Sequence, residues 1–462
     1  MTDQRIFGLP SGENFGRQLL GWAKACSIRV RHRRLMSVSK SRHAPVETVY
    51  SGQHSSIMKT TVPNPTTPDR NPWPVFLIFL RLGLTSFGGP VAHLGYFRDE
   101  FVVRRRWLSE HSYADLVALC QFLPGPASSQ VGFALGLSRC GYAGALAAWA
   151  GFTLPSAIML IGFARVVAGE AQVLPAGMLH GLKVVAVAVV AQAVWGMARA
   201  LCPDVARITI MLATACLVLL MPSALVQVGC IGMAAIIGLL LFKPLPSEPH
   251  EPMPMPVRRR VGTCWLALFL ALLLGLPVLA AWYPSHGLAQ LEAFYRAGAL
   301  VFGGGHVVLP LLQAQVVQPG WVDGDVFLAG YGAAQAVPGP LFTFAAFLGA
   351  SMHHAPSGWV GGFVCLLAIF VPSLLLVMGA LPFWQRLRHY TRARAALMGI
   401  NACVVGLLLA ALYRPVWTSA IHGPWDFVLA LVGLVALMFW RLPPWLVVIG
   451  SGVVAGVGSV VF

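Results

Sequence analysis

The chain has 462 residues, 57% of them hydrophobic and only 10% charged, with 32 Lys and Arg against 16 Asp and Glu. A soluble domain carries about 25% charged residues, so most of this chain belongs in lipid. The net charge of +16 sits in short clusters between apolar runs, not on one soluble domain, which argues against a nucleic-acid partner.

Residues 1–71 are polar and basic (Arg29, Arg31, Arg33, Arg34), and the segment ends near the turn-rich run Pro63-Asn64-Pro65 to Pro68. It lacks the apolar core of a secretion signal and reads as a disordered cytosolic tail. Met58, just before the first apolar segment, offers an alternative start. From residue 72 onward, apolar runs recur: Gly141 to Phe163, Val173 to Trp195, Ile208 to Phe242 and Cys264 to Trp282. Each can cross a hydrocarbon core of about 30 Å at roughly 1.5 Å per residue. Unpaired backbone amides are costly in lipid, so these segments are expected to be helices. The nine cysteines form no CxxC pair and predict neither disulfide nor zinc.

Two stretches repeat at an offset of roughly 215 residues, and internal repeats fix an architecture before anything else does. Arg81-Leu-Gly83 through Phe87-Gly88-Gly89 returns as Arg296-Ala-Gly298 through Phe302-Gly303-Gly304. Trp107 answers to Trp321, Gln121…Pro124-Gly125-Pro126 to Gln335…Pro338-Gly339-Pro340, and Pro155-Ser156 to Pro372-Ser373. The predicted division is a tail (1–71), a first repeat (72–242), a cytosolic linker (243–260), an extra helix (261–283) and a second repeat (284–462).

Only Lys and Arg near membrane ends set orientation. The loop after the first FGG motif carries Arg98, Arg104, Arg105 and Arg106, whereas its counterpart, Gln315 to Asp325, carries no base and two acids, Asp323 and Asp325. The bias then reverses, with Arg386, Arg388, Arg392 and Arg394 in the second half. The repeats are therefore expected to be inverted, with the Cys264 to Trp282 segment supplying the odd crossing. The fold class expected is an all-α polytopic membrane protein of two inverted homologous halves. Its helices should be broken or re-entrant at the FGG and PGP motifs, where glycine permits unusual φ and proline ends the hydrogen-bond ladder. That gives about nine spans plus re-entrant hairpins; the alternative, in which every segment crosses, gives about thirteen.

Broken helices at matching positions of inverted repeats point to a transporter's binding site, and free helix N-termini suit an anion. The candidate substrate-binding residues are Arg81, Gly88, Gly89, Pro90, Gln121, Pro124, Gly125 and Pro126 in the first half, with Ser128 and Ser129 adding hydroxyls. Arg296, Gly303, Gly304, Gln335, Pro338, Gly339 and Pro340 are their counterparts in the second. Arg81 and Arg296 present forked donors that fit a tetrahedral oxyanion, or else snorkel or pair with Asp99 or Glu292. His93, His306 and Asp115 are the candidates for proton coupling, and either histidine could instead be structural. There is no HExxH, no GxSxG and no cluster of carboxylates or histidines at metal-ligand spacing in the membrane region. No catalytic residue, metal or cofactor is expected.

Phe79 through Arg98 (FLRLGLTSFGGPVAHLGYFR), Gln121-Phe-Leu-Pro-Gly-Pro126, Phe302 to His306 and Pro338-Gly-Pro340 together resemble the chromate transporter family in its long, two-domain form. The resemblance implies efflux of chromate across the bacterial plasma (inner) membrane, with sulfate as an isosteric competitor; the alternative, a transporter of sulfate or another tetrahedral oxyanion, would share every physical feature named above. The lipid bilayer is the other partner, and a homo-oligomer is compatible with it.

Overall fold

In the computed structural model, residues 71–168, 175–243, 258–387 and 390–461 are described. The sequence readings of the tail to residue 70, of linker residues 244–257 and of Arg388 lie outside them.

The first repeat begins with two short helices, α1 (Trp73–Thr85) and α2 (Gly89–Arg98), followed by α3 (Glu110–Phe122) and α4 (Ala127–Ala168), which is kinked at Cys140 and Gly141. Then come α5 (Ala176–Leu201), α6 (Val205–Leu220) and α7 (Ala224–Leu241). After the linker, α8 (Arg259–Trp282) leads into the second repeat: α9 (His286–Leu300), α10 (Val308–Val316), α11 (Gly324–Ala336), α12 (Phe344–Ala350), α13 (Gly358–Ala380), α14 (Thr391–Ala411), α15 (Pro424–Met438) and α16 (Pro444–Val461). No strand occurs among the described residues.

The FGG segment is a turning point, because the arms beside it pack on each other. Phe79 on α1 meets Phe97 on α2 and Phe101 just beyond it, with ring centroids 5.6 and 5.0 Å apart. Those pairs centre on Gly88 to Pro90. Gly88 and Gly89 take φ of +100° and +76°, a region that L side chains rarely enter. In the second repeat, Arg296 on α9 donates to Gln315 Oε1 beside α10 at 2.7 Å, a pair centred on Gly305. Gly303 and Gly304 again have positive φ. The PGP segments reverse the chain likewise: Phe327 and Tyr331 on α11 pack on Phe344 at the start of α12, about Pro338-Gly339.

Each hairpin returns to the face it left. The Arg139 guanidinium, before the kink in α4, lies over Trp107 at 4.9 Å, and Cys140 Sγ bonds the carbonyl of Asn71, which precedes α1. In the second repeat His353 N–H donates to the Trp321 carbonyl, and the rings of His286 and His354 stack at 4.6 Å. So α1–α2 and α3 with the first part of α4 enter from one face, and their counterparts from another.

That the two faces are opposite follows from α4 and α13, which occupy matching places in the repeats. Trp149 packs on Phe370, Ile161 on Gly362, and Arg165 beside Gly358. As one number rises the other falls, so the matched helices are antiparallel and the repeats are inverted. The pseudo-twofold axis lies across the helices. Contacts swap accordingly: Gly83 backs onto the Gly151 and Phe152 carbonyls, and Gly298 onto that of Ile369, the close approach that small residues permit between membrane helices.

The apolar run Ile208 to Phe242 is not one span. It breaks at Met221-Pro222-Ser223, where the Ser223 hydroxyl caps α7. Proline cannot continue a hydrogen-bond ladder, and serine satisfies the exposed amides of the next helix. The matching break is the turn Phe439–Pro443 between α15 and α16. Five helical stretches are long and apolar enough to cross a membrane: Ala127–Val167, Ala176–Leu201, Arg259–Trp282, Gly358–Phe383 and Thr391–Ala420. The shorter α6, α7, α15 and α16 are apolar as well.

Candidate anion-binding site

The four motifs meet at the axis in crossed pairs. The Gly339 N–H donates to the Ser86 carbonyl at 3.0 Å, and the Gly125 N–H to the Val301 carbonyl at 2.7 Å. Ser86 and Val301 are repeat counterparts, as are Gly125 and Gly339, so this is one contact made twice, the mark of a twofold relation. Each PGP turn thus docks on the break that opens the other repeat's FGG motif. Both PGP glycines have positive φ, and a Cβ at Gly125 would collide with Ser373, at Gly339 with Ser156.

Beside the Ser86–Gly339 contact lies a cavity of about 260 Å³. Its walls are Ser86, Gly88, Gly89 and Pro90 at the start of α2; His306, Gln335, Gly339 and Leu341 of the second repeat; Val189 and Gln192 of α5; and Leu437 to Pro444 around the α15–α16 turn. Two of the lining residues, Ser86 and Gln335, each carry a buried side-chain atom, Oγ and Nε2, with no hydrogen-bond partner in the protein. Buried donors are costly unless bonded, so a side-chain rotation that brings them to an acceptor in the cavity would be favoured. Two helices also begin here with free backbone amides, α2 and the segment Leu341–Ala350, each placing positive partial charge on the cavity. Arg441 is the one charged residue among the described lining residues, and it is exposed, at a left-handed φ of +53°. The cavity therefore opens at the α15–α16 turn.

The structure brings Gly88, Gly89, Pro90, Gln335, Gly339 and His306 to this wall. Pro338 and Pro340 flank Gly339 and are buried, and Gln121 is exposed. Pro124, Gly125 and Pro126 sit at the other crossed contact, opposite the Gly303–Gly304 break. There a Cβ added at Gly303 would lie 3.5 Å from Met197, Leu201 and Asn401. Asp115, on α3, lies outside the cavity wall. The two arginines singled out in the sequence are also elsewhere. Arg81 is exposed on α1, because the break at Ser86 turns α2 away from its face of the helix. Arg296 is held on the flank of its own hairpin, donating to Gln315 and lying 3.1 Å from Glu292 in an ion pair too skewed for a hydrogen bond.

The histidines divide. His93 is buried and lies 3.2 Å from the Ser86 carbonyl through Nε2 and 3.4 Å from Ser128 Oγ through Nδ1. A carbonyl only accepts, so Nε2 carries the proton and both ring nitrogens are engaged in bracing the break. His306 pairs with the Tyr331 hydroxyl through Nδ1 at 2.8 Å and is one of the residues lining the cavity. Sequence reasoning missed Arg441 and Ser86. A signal for the first existed, since Arg441 is the only Lys or Arg from Pro424 to the C-terminus.

The chromate transporter family matches residues 73–239 and again 288–457. The chain belongs to that family. It is a membrane transporter, not an enzyme, and the two matched regions are the two inverted repeats. Among similar proteins, the probable chromate transport protein of Synechococcus elongatus is 27% identical over 394 residues, covering 83% of this transporter and 94% of its own length. The chromate transport protein of Cupriavidus metallidurans is 26% identical over 82% of this transporter and 91% of itself. An uncharacterised Bacillus subtilis transporter, YwrB, is 32% identical over 165 residues, 34% of this transporter and 80% of its own length. No solved structure matches the transporter.

Proposed function

We propose that this transporter exports chromate from the bacterial cytoplasm across the inner membrane by alternating access, coupled to an ion gradient. The observation that carries the reading is the pair of unpartnered buried donors, Ser86 Oγ and Gln335 Nε2, on two residues that line a cavity with one cation and no anion among its described walls. An oxyanion of two negative charges accepts from both hydroxyl and amide, from the amides of Gly89 and Leu341, and from Arg441. The dianion stays attached through its charge while several of its oxygens are bonded at once. Gly88, Gly89 and Gly339 let it approach backbone.

Orientation rests on charge. The face that holds Arg98, Arg104, Arg105, Arg106 and Arg139 also holds Arg258 to Arg260 at the start of α8 and Arg441, whereas Asp323, Asp325 and Asp426 lie toward the opposite one. The positive-inside rule makes the first face cytoplasmic, so the cavity is filled from the cytoplasm. Inverted repeats support the alternate state, because exchanging the two repeats' conformations would close the Ser86–Gly339 side and open the Val301–Gly125 side. His306 is the better placed of the two histidines to carry a coupling proton: with Nδ1–H donating to the Tyr331 oxygen, Nε2 keeps the lone pair that takes it. In this reading the division into repeats 72–242 and 284–462, joined by a cytosolic linker and the inverting helix 261–283, is the unit of the mechanism. Arg81, Arg296, Gln121 and Asp115 take no part in the state with the cytoplasmic cavity open.

The test is chromate resistance and chromate content of a sensitive bacterial host expressing the chain, with and without excess sulfate. Export lowers cell chromate, and sulfate raises it again by competition. Unchanged resistance and content, with the protein abundant in the membrane, would refute the proposal.

A further inference from the structure

We infer that His180, His422 and Asp426 form a binding site for a divalent transition-metal ion of the zinc type, remote from the anion cavity. His180 lies in the first turn of α5, in the first repeat; His422 and Asp426 bracket the start of α15, in the second. One ligand atom from each lies within 4.8 Å of the others. His180 Nε2 stands 2.7 Å from Asp426 Oδ1, and the two imidazoles lie nearly parallel, ring centroids 5.6 Å apart and planes 24° apart. Each ring can therefore turn one nitrogen toward a point beside the same carboxylate oxygen.

The carboxylate is already oriented. Asp426 Oδ2 accepts from the backbone N–H groups of His422 and Gly423, at 2.9 and 3.2 Å, which caps α15 and leaves Oδ1 to the histidines. Such anchoring of a ligand's second oxygen is what positions carboxylates around metals. Two imidazoles and one carboxylate make a borderline donor set that suits zinc, nickel, cobalt or copper and leaves a position for water. Calcium and magnesium prefer all-oxygen sites. The metal would take the lone pairs of Nε2 and Oδ1, so the imidazole would carry its proton on Nδ1 and any further proton held between the two groups would leave to solvent.

Two other histidine groupings lie on the same face, and neither reaches three ligands. His286 and His354 stack at 4.6 Å, and His353 pairs with Asp323 at 3.5 Å. The triad is the only such group of three among the described residues. Its ligands are 246 residues apart at the extremes, so no spacing motif announces it. His422 is exposed, while His180 and Asp426 are half-buried, which leaves an entry path from the solvent. An ion there joins the two repeats at the face opposite the cavity mouth.

The test is zinc binding to the purified full chain in detergent, carrying a histidine-free affinity tag, followed by calorimetry and by thermal unfolding. The parent should bind one zinc ion per chain at this site and gain thermal stability with added zinc, because an ion that binds only the folded form stabilises it. H422A, at an exposed position outside any helix, and H180A should each weaken that binding by at least about tenfold, and the double variant H286A/H354A should keep it. Binding undiminished in both H422A and H180A, or absent from the parent, would overturn the site. Retained helix content in each variant separates ligand loss from misfolding.

Discussion

The two crossed contacts at the axis are built from matched residues, yet their surroundings differ. On the Ser86–Gly339 side, a Cβ at Gly89 would meet nothing within 4 Å, and Gly88 meets only Ala92 of its own helix. On the Val301–Gly125 side, Gly304, the counterpart of Gly89, is equally open, whereas a Cβ at Gly303, the counterpart of Gly88, would be met by side chains of α5 and α14. Unpartnered buried polar atoms lie on both sides, Ser86 Oγ and Gln335 Nε2 on the first, Ser129 Oγ and Gln130 Oε1 beside the PGP turn of the second, but the counterpart of Gln335, Gln121, is exposed. Symmetry of sequence thus supplies the fold, and its local breaking supplies the site. An inverted repeat can break that symmetry in either direction, which is the physical basis of the alternating access proposed above.

The comparison first requires that the repeats be inverted, and this gives an all-or-none prediction. On a background lacking native cysteines, a cysteine in the Arg98–Arg106 loop and one in the Gln315–Asp325 loop should react with an impermeant thiol reagent from opposite sides of the membrane. Reaction from the same side would remove the axis on which both sites depend.

A large graded effect is expected at Arg441. Hydrogen bonds to charged groups contribute about 1.5–3 kcal/mol, and for an exposed side chain the low end applies, or about tenfold in affinity. Arg441→Ala should therefore weaken chromate binding about tenfold, measured by calorimetry on purified protein. Arg81→Ala should leave it within about twofold, the reach of an exposed charge screened by salt. Equal effects would return the site to the first-half arginine.

The smaller effect separates the two glutamines. Removing one neutral hydrogen bond costs about 1 kcal/mol, so Gln335→Ala should weaken binding about fivefold, while Gln121→Ala should not change it. Equal losses would mean that both crossed contacts are occupied at once.

Much of this organisation was legible in the sequence, for reasons that differ by element. FGG and PGP can be read because positive φ demands glycine and a broken ladder tolerates proline; all six motif glycines named above have positive φ. Inversion was legible in the Arg98–Arg106 and Asp323–Asp325 loops, since charge at membrane ends is set by topology. The Ile208 to Phe242 run misled because hydropathy averages over Pro222, whose effect is on hydrogen bonding and not on polarity. Arg81 and Arg296 lie away from the cavity for another reason: a matched charge near a motif says nothing about which side of the helix it faces. Ser86 is a small residue in a conspicuous motif, and only its burial without a partner marks it out. The triad of His180, His422 and Asp426 depends on tertiary contact across the whole chain.

The central claim is that a cytoplasm-facing cavity between the first FGG and the second PGP motif loads the exported anion. Chromate uptake into inside-out membrane vesicles tests it most directly, with the parent compared to Gly89→Leu and Gln121→Ala at equal abundance in the membrane. A leucine at Gly89 both fills the open space and resists a φ of +76°. The account predicts energised accumulation of chromate by the parent and by Gln121→Ala, and none above control vesicles by Gly89→Leu. Parental uptake by Gly89→Leu, or no uptake by the parent, would contradict it.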